Sequence, residues 1–151
     1  PLETVKYALQ IAKDLNKYTI LNPAPAIKLN DDIIKNVDLL TPNETELEII
    51  SEMKIESKDD INKAAKKMIE KGIKELIVTL GSKGSLYINE EKSFFKSAYK
   101  VEAVDTTAAG DSFTGALAVA LSNNKNILSM APCMLFISEY VAPKVSIGDI
   151  I

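Results

Sequence analysis

Apolar residues recur at three- and four-residue spacing through residues 3–17, at Val5, Ala8, Leu9, Ala12 and Leu15. Polar or charged residues fill the gaps, and the period predicts an amphipathic helix. Residues 18–22 break that period and read as a short strand. The prolines of Asn22-Pro23-Ala24-Pro25-Ala26 push the residues before them toward extended geometry, so a loop leaves this strand's carboxyl end. Residues 31–36 read as a short helix and 37–40 as a buried strand. Thr41-Pro42-Asn43-Glu44 reads as a helix start with Pro at the first helical position. A second long helix is predicted over 57–71, opened by a capping box of Ser57 and Asp60.

Residues 75–80 carry a nearly continuous apolar run, Leu76, Ile77, Val78 and Leu80. Such a run marks a strand buried on both faces. Gly81-Ser82-Lys83-Gly84 follows as a tight turn, and 85–89 and 94–104 read as strands around the hydrophilic Glu90-Glu91-Lys92. A helix begins at Gly110 or Asp111 and runs to about Leu121, and 127–141 reads as another. This alternation of helices and strands predicts an α/β fold, a mostly parallel sheet with helices on both faces. No repeat or low-complexity linker divides the 151 residues, so no second domain is indicated.

Charge and composition narrow the chemistry. Eighteen Lys and Arg against 21 Asp and Glu give a net charge of −3, which argues against a nucleic-acid binder driven by phosphate neutralisation. The absence of histidine excludes Ser/His/Asp triads, His-ligated metals and imidazole pH switches. The single cysteine, Cys133, permits no internal disulfide and no Cys cluster, consistent with a reducing, cytoplasmic setting. No apolar run approaches the ~20 residues of a membrane span. Pro1-Leu2-Glu3-Thr4 has neither an initiator Met nor a signal-peptide pattern, and the chain reads as part of something longer.

The most informative stretch is Val104-Asp105-Thr106-Thr107-Ala108-Ala109-Gly110-Asp111, which opens an apolar helix. Small residues let a ligand approach the backbone, and the free amides and positive dipole end of the helix converge on the same place. Such a place suits an anion. An acid at a helix start is favoured as its anion and is a weak base, which suffices for phosphoryl transfer through a loose transition state. The alternative is that Asp111 is an ordinary helix-start acid and Ala108 to Gly110 pack tightly. Neither a GxxxxGK[ST] string nor a GxGxxG fingerprint occurs, so a P-loop is excluded and a nicotinamide site disfavoured.

Asp105-Thr106-Thr107-Ala108-Ala109-Gly110-Asp111-Ser112-Phe113 resembles the second signature of the ribokinase-like (PfkB) carbohydrate kinases. Asn22-Pro23-Ala24-Pro25-Ala26, Thr41-Pro42-Asn43-Glu44-Thr45-Glu46 and Thr79-Leu80-Gly81-Ser82-Lys83-Gly84 are similar to further strings of that family, in the same order and at similar spacing. The resemblance covers residues 2 to about 125 and implies the carboxyl-terminal half of such an enzyme, with a ribokinase-like three-layer fold over 1–151. It implies ATP-dependent phosphorylation of a sugar hydroxyl, D-ribose at its 5-hydroxyl in the first place, with fructose, a nucleoside or a polyol as alternatives. A non-catalytic nucleotide-binding relative is a further alternative.

By that resemblance Asp111 takes the proton of the sugar hydroxyl, and the backbone amides of Ala108, Ala109, Gly110 and Asp111 hold the developing phosphoryl charge. Asn43 and Glu46 lie near the phosphates and Mg²⁺, with Glu46 acting through metal-bound water. Thr79, Leu80, Gly81, Ser82, Lys83 and Gly84 border the nucleotide. Asp105 and the Thr107 carbonyl match a monovalent-cation site, normally K⁺. The partners implied are a small-molecule sugar and ATP, with a homodimer possible at full length, and neither nucleic acid nor membrane. Each assignment has a structural alternative: a capping box of Thr41 with Glu44 or Asn43 with Glu46, a β-turn at 81–84, a solvated Lys83, and an Asp105 bonded to its own loop amides. Beyond about Lys125 the resemblance fades, because bulky Met134, Leu135, Phe136 and Tyr140 stand where the family has small residues beside the adenine. Pro143-Lys144-Val145-Ser146-Ile147-Gly148 does not supply the family's Lys-Gly loop.

Overall fold

The computed structural model describes residues 1–98 and 109–123. In chain order the elements are α1 (Leu2–Asp14), β1 (Ile20–Leu21), α2 (Asp31–Ile34), β2 (Leu39–Leu40), α3 (Glu44–Ser51), α4 (Lys58–Glu70), β3 (Glu75–Thr79), β4 (Ser85–Asn89), β5 (Ser93–Lys96) and α5 (Ala109–Ser122). The five strands form one sheet in sequence order. The β1–β2 and β2–β3 pairs are parallel, whereas β3–β4 and β4–β5 are antiparallel.

The α/β architecture stands, but the sheet is mixed where the helix and strand rhythm predicts a mostly parallel one. Connection length is the reason. Only residues 80–84 join β3 to β4 and only 90–92 join β4 to β5, too few for the dozen or more residues a parallel crossover needs. The segment after β3 is a 3-10 turn, Gly81–Lys83. Gly84 has φ +117°, and a Cβ there would lie 1.9 Å from the Lys96 carbonyl oxygen, so only glycine lets β5 pass this close.

Strand alternation distributes the core over two faces. Leu40, Leu76, Val78, Leu86 and Ile88 pack in one cluster with Leu9 of α1, Ile33 and Ile34 of α2, Leu47 and Ile50 of α3, and Ala64, Ala65 and Met68 of α4. Leu39, Ile77 and Tyr87 point the other way and pack against Phe113 and Leu117 of α5. Helices therefore cover both faces, as the sequence predicts.

Several boundaries move inward. The first helix ends at Asp14, and β1 starts only at Ile20, because the Thr19 amide and hydroxyl both donate to the Asp38 carboxylate. The Ser57 cap forms, its side chain accepting from the Asp60 amide. Asp60 answers by accepting from the Ser57 hydroxyl and the Glu56 amide. Pro42 is not at the first helical position: Asn43 caps α3, and Pro42 extends the sheet instead, its carbonyl accepting from the Thr79 amide at 2.9 Å. The strand predicted over 94–104 is the shorter β5, its later part lying outside the described residues, as does the predicted helix over 127–141.

Candidate functional site

The carboxyl ends of β1, β2 and β3 and the first turn of α5 meet at one edge of the sheet. Alternation decides which side chains face that turn. Ile20 packs on the α5 side and Leu21 on the other, so Asn22 returns to the α5 side. Leu39 and Leu40 repeat the pattern, and Thr41 follows. Ile77 and Val78 do so again, placing Thr79 on the same side of β3. The parallel ladder continues past the named strands, with the Thr41 amide donating to the Leu21 carbonyl at 3.0 Å and a further bridge between Asn43 and Thr79. A polar rim thus tops an apolar sheet.

Two contacts tie the rim to α5. Asn22 Nδ2 donates to Asp111 Oδ1 at 3.3 Å, and the hydroxyls of Thr41 and Thr114 lie 3.4 Å apart. Thr114 donates back to the Gly110 carbonyl at 3.0 Å, and the single Thr41 hydroxyl proton lies between two acceptors, Thr114 Oγ1 and the Leu21 carbonyl, each at 3.4 Å. Below the rim, the buried Phe113 and Leu117 seat α5 on Leu39, Ile77 and Tyr87. Asp111 is exposed. The first-turn amides of a helix have no intrahelical partner and bear partial positive charge. Among the described residues a Cβ built on Gly110 meets no atom beyond its own helix turn within 4 Å. The site therefore offers an exposed carboxylate in the first turn of a helix, a combination that suits a phosphoryl group beside a hydroxyl that must lose its proton.

Asn43 and Glu46 form a capping box: Asn43 Oδ1 accepts from the Glu46 amide and Glu46 Oε2 from the Asn43 amide, both at 2.8 Å. Thr41 and Glu44 do not, since Thr41 faces Thr114. One Glu46 oxygen is thus committed to the cap, and Oε1 makes no protein hydrogen bond among the described residues. A lone carboxylate suits Mg²⁺, which keeps several waters and takes one or two protein carboxylates beside substrate phosphate. Among the described residues no cluster of three or more acidic or Cys side chains could hold a metal alone, so the donor set fits an ion shared with a phosphate.

Thr79 ends β3, and the Leu80 amide donates a hydrogen bond across the 3-10 turn to the Gly84 carbonyl at 2.8 Å. Gly81, Ser82 and Lys83 are exposed on that turn. Lys83 pairs with Glu44 of α3 at 3.1 Å, and this ion pair clasps the turn to the α3 start. Asp105, Thr107 and Ala108 lie outside the described residues, and Ala109 is described through its backbone alone. Four further residues join the site, Asn22, Thr41, Thr114 and Glu44, of which the sequence offers Thr41 and Glu44 only as a capping box. For the first two a signal existed: each is the polar residue at the next α5-facing position after an apolar strand. A hollow lined by Lys66, Glu70, Glu91 and Lys92, between the end of α4 and the β4–β5 hairpin, lies at the opposite edge of β3 and has no part in this site.

A sequence model described as pfkB family carbohydrate kinase matches residues 1–131. The chain belongs to the pfkB family. The match runs slightly past the limit near Lys125 to which the motifs reach. Ribokinase of Haemophilus influenzae is 41% identical over 126 residues, covering 83% of this chain and 41% of that protein. Deoxyribokinase of Salmonella typhi is equally similar, 41% over 118 residues, covering 78% of this chain and 39% of that one. Among solved structures, Arabidopsis thaliana ribokinase complexed with ribose and ATP superimposes with a TM-score of 0.84 at 31% identity, over 98% of this chain and 49% of that one. This pfkB chain thus spans about two fifths of the length of the curated relatives it matches. No helix among its described residues is long and apolar enough to cross a membrane.

Proposed function

We propose that this chain is the carboxyl-terminal, nucleotide-binding and catalytic half of an ATP-dependent sugar kinase acting on D-ribose at its 5-hydroxyl. The observation that carries the reading is Asp111, exposed in the first turn of α5 and held by Asn22 at 3.3 Å where three strands end. Asp111 accepts the proton of the sugar hydroxyl as its oxygen bonds to the γ-phosphorus and the bond to the departing ADP oxygen breaks. The amides of Ala108, Ala109, Gly110 and Asp111 receive the charge that gathers on the transferring group. The exposed backbone of the Gly81–Lys83 turn, with Thr79, Leu80 and Gly84, borders the nucleotide at the carboxyl edge of the sheet, where ligands of such folds bind. Glu46 and Asn43 stand beside the phosphates, and Mg²⁺ shared with them neutralises their charge when bound. Asp105 and the Thr107 carbonyl supply oxygen ligands for K⁺.

The equal similarity to a ribokinase and a deoxyribokinase favours a pentose and makes 2-deoxyribose the second reading. The test is a panel of ribose, 2-deoxyribose, fructose and nucleosides offered with ATP to the protein at the full length of its relatives. Preference for ribose supports the reading, and preference for 2-deoxyribose supports the second. Nucleotide binding without turnover of any sugar contradicts both.

A further inference from the structure

We infer that Asn22 is a positioning residue for the Asp111 carboxylate, and that it sets the direction in which the base presents its free oxygen to the acceptor hydroxyl. The inference rests on the reading of Asp111 as that base. Asp111 Oδ1 can only accept, so the amide of Asn22 is oriented with Nδ2 toward it, at 3.3 Å. This contact spans 89 positions of sequence and joins two different elements, the end of β1 and the first turn of α5. Among the described residues Oδ2 makes no further bond, and it is the oxygen offered to a substrate proton.

The Asn22 end is rigid for reasons that are local. Pro23 is buried and confines Asn22 to extended backbone. Leu21, before it, is paired with Leu40 in the parallel ladder, and the Leu21 carbonyl accepts from Thr41. The Asp111 end is braced independently, since the hydroxyls of Thr41 and Thr114 lie 3.4 Å apart one helical turn further on. Without Asn22 the backbone of α5 stays in place through Thr114, Phe113 and Leu117, while the Asp111 side chain gains rotamers that turn its oxygens away. Misplacing a reacting group by about an ångström costs roughly 100-fold in rate.

Two variants in the full-length protein test this. Asn22→Ala removes the donor, and Asn22→Asp keeps the side chain's shape while replacing the donor with a carboxylate that repels Asp111. Both are expected to lower kcat by about tenfold or more, Asn22→Asp the more severely, with KM for ATP and for sugar changed less than about twofold. Asn22→Gln, which retains an amide donor, is expected to recover part of the loss. The double variant with Asp111→Asn is expected to be no slower than Asp111→Asn alone. Unchanged KM shows that the fold and both substrate sites persist. Wild-type kcat in both Asn22→Ala and Asn22→Asp, with Asp111→Asn inactive, overturns the inference and leaves the base standing. Retained turnover in Asp111→Asn overturns the base and the inference together.

Discussion

At the residue scale the site depends on what each side chain is not needed for. Gly84 is fixed by the passage of β5, so Gly84→Ala should unfold the β3–β4 turn, visible as a loss of several degrees in Tm. Gly110 is different. Among the described residues no atom beyond its own helix turn lies within 4 Å of where its Cβ would be, and alanine is a better helix former by about 1 kcal/mol. Gly110→Ala should therefore hold or raise Tm while lowering turnover by an order of magnitude or more, because the added methyl occupies the approach to the α5 amides. Equal activity in that variant would show that nothing approaches there. Lys83 teaches restraint, since it stands on the turn assigned to the nucleotide yet is paired with Glu44 across exposed surface. Such a pair is worth about 0–1 kcal/mol, so Lys83→Ala should leave stability nearly unchanged.

At the scale of elements, the proposed function rests on the seating of α5. Leu117 is fully buried between α5 and the sheet, and Leu117→Ala should cost about 2–5 kcal/mol in denaturant unfolding. The cap of α3 is a smaller matter: Asn43→Ala should cost about 1 kcal/mol and release Glu46 from its fixed place. Helices and the buried strand β3 were legible in the sequence because their periods are strong. The direction of the strands was less so. The shortness of Gly81-Ser82-Lys83-Gly84 already required antiparallel pairing, and the alternation rhythm obscured it. Pro42 looked like a helix start because Pro favours that position, whereas its carbonyl serves β3. Asp111 was legible as a helix-start acid next to small residues. Asn22 was legible as the polar residue after an apolar strand, but its pairing with Asp111 was not, because nothing local links residues 89 positions apart; the seating of α5 on the sheet brings them to one edge.

For the whole molecule, polar chemistry sits at both ends of the sheet and serves opposite purposes. At the amino-terminal edge Asp38 accepts from the amide and hydroxyl of Thr19 and from Lys74, while the phenols of Tyr18 and Tyr87 both donate to Glu75. Burial works against the Asp38 anion, but Lys74 and the Thr19 donors outweigh it and hold the carboxyl below its ordinary range. Burial, with the Glu75 charge, pushes both phenols up. A lowered carboxyl means that its contribution to stability is complete above the unfolded value of about 3.9 and is lost as pH falls through the folded value. Asp38→Asn should therefore be less stable than wild type near pH 7, with the gap narrowing below about pH 4. At that edge these polar groups are paired with one another, whereas the carboxyl-terminal edge presents an exposed acid and an exposed turn beside a helix start.

Backbone amide NMR of this chain titrated with ATP and Mg²⁺ separates the two edges. Shifts are expected at the Gly81–Lys83 turn, at Asn43 and Glu46, and at Gly110 and Asp111, with Thr19, Asp38 and Glu75 unmoved. Shifts confined to the amino-terminal edge or to the hollow at Lys66, Glu70 and Lys92, with the α5 start silent, would contradict the proposed nucleotide site at the carboxyl-terminal edge.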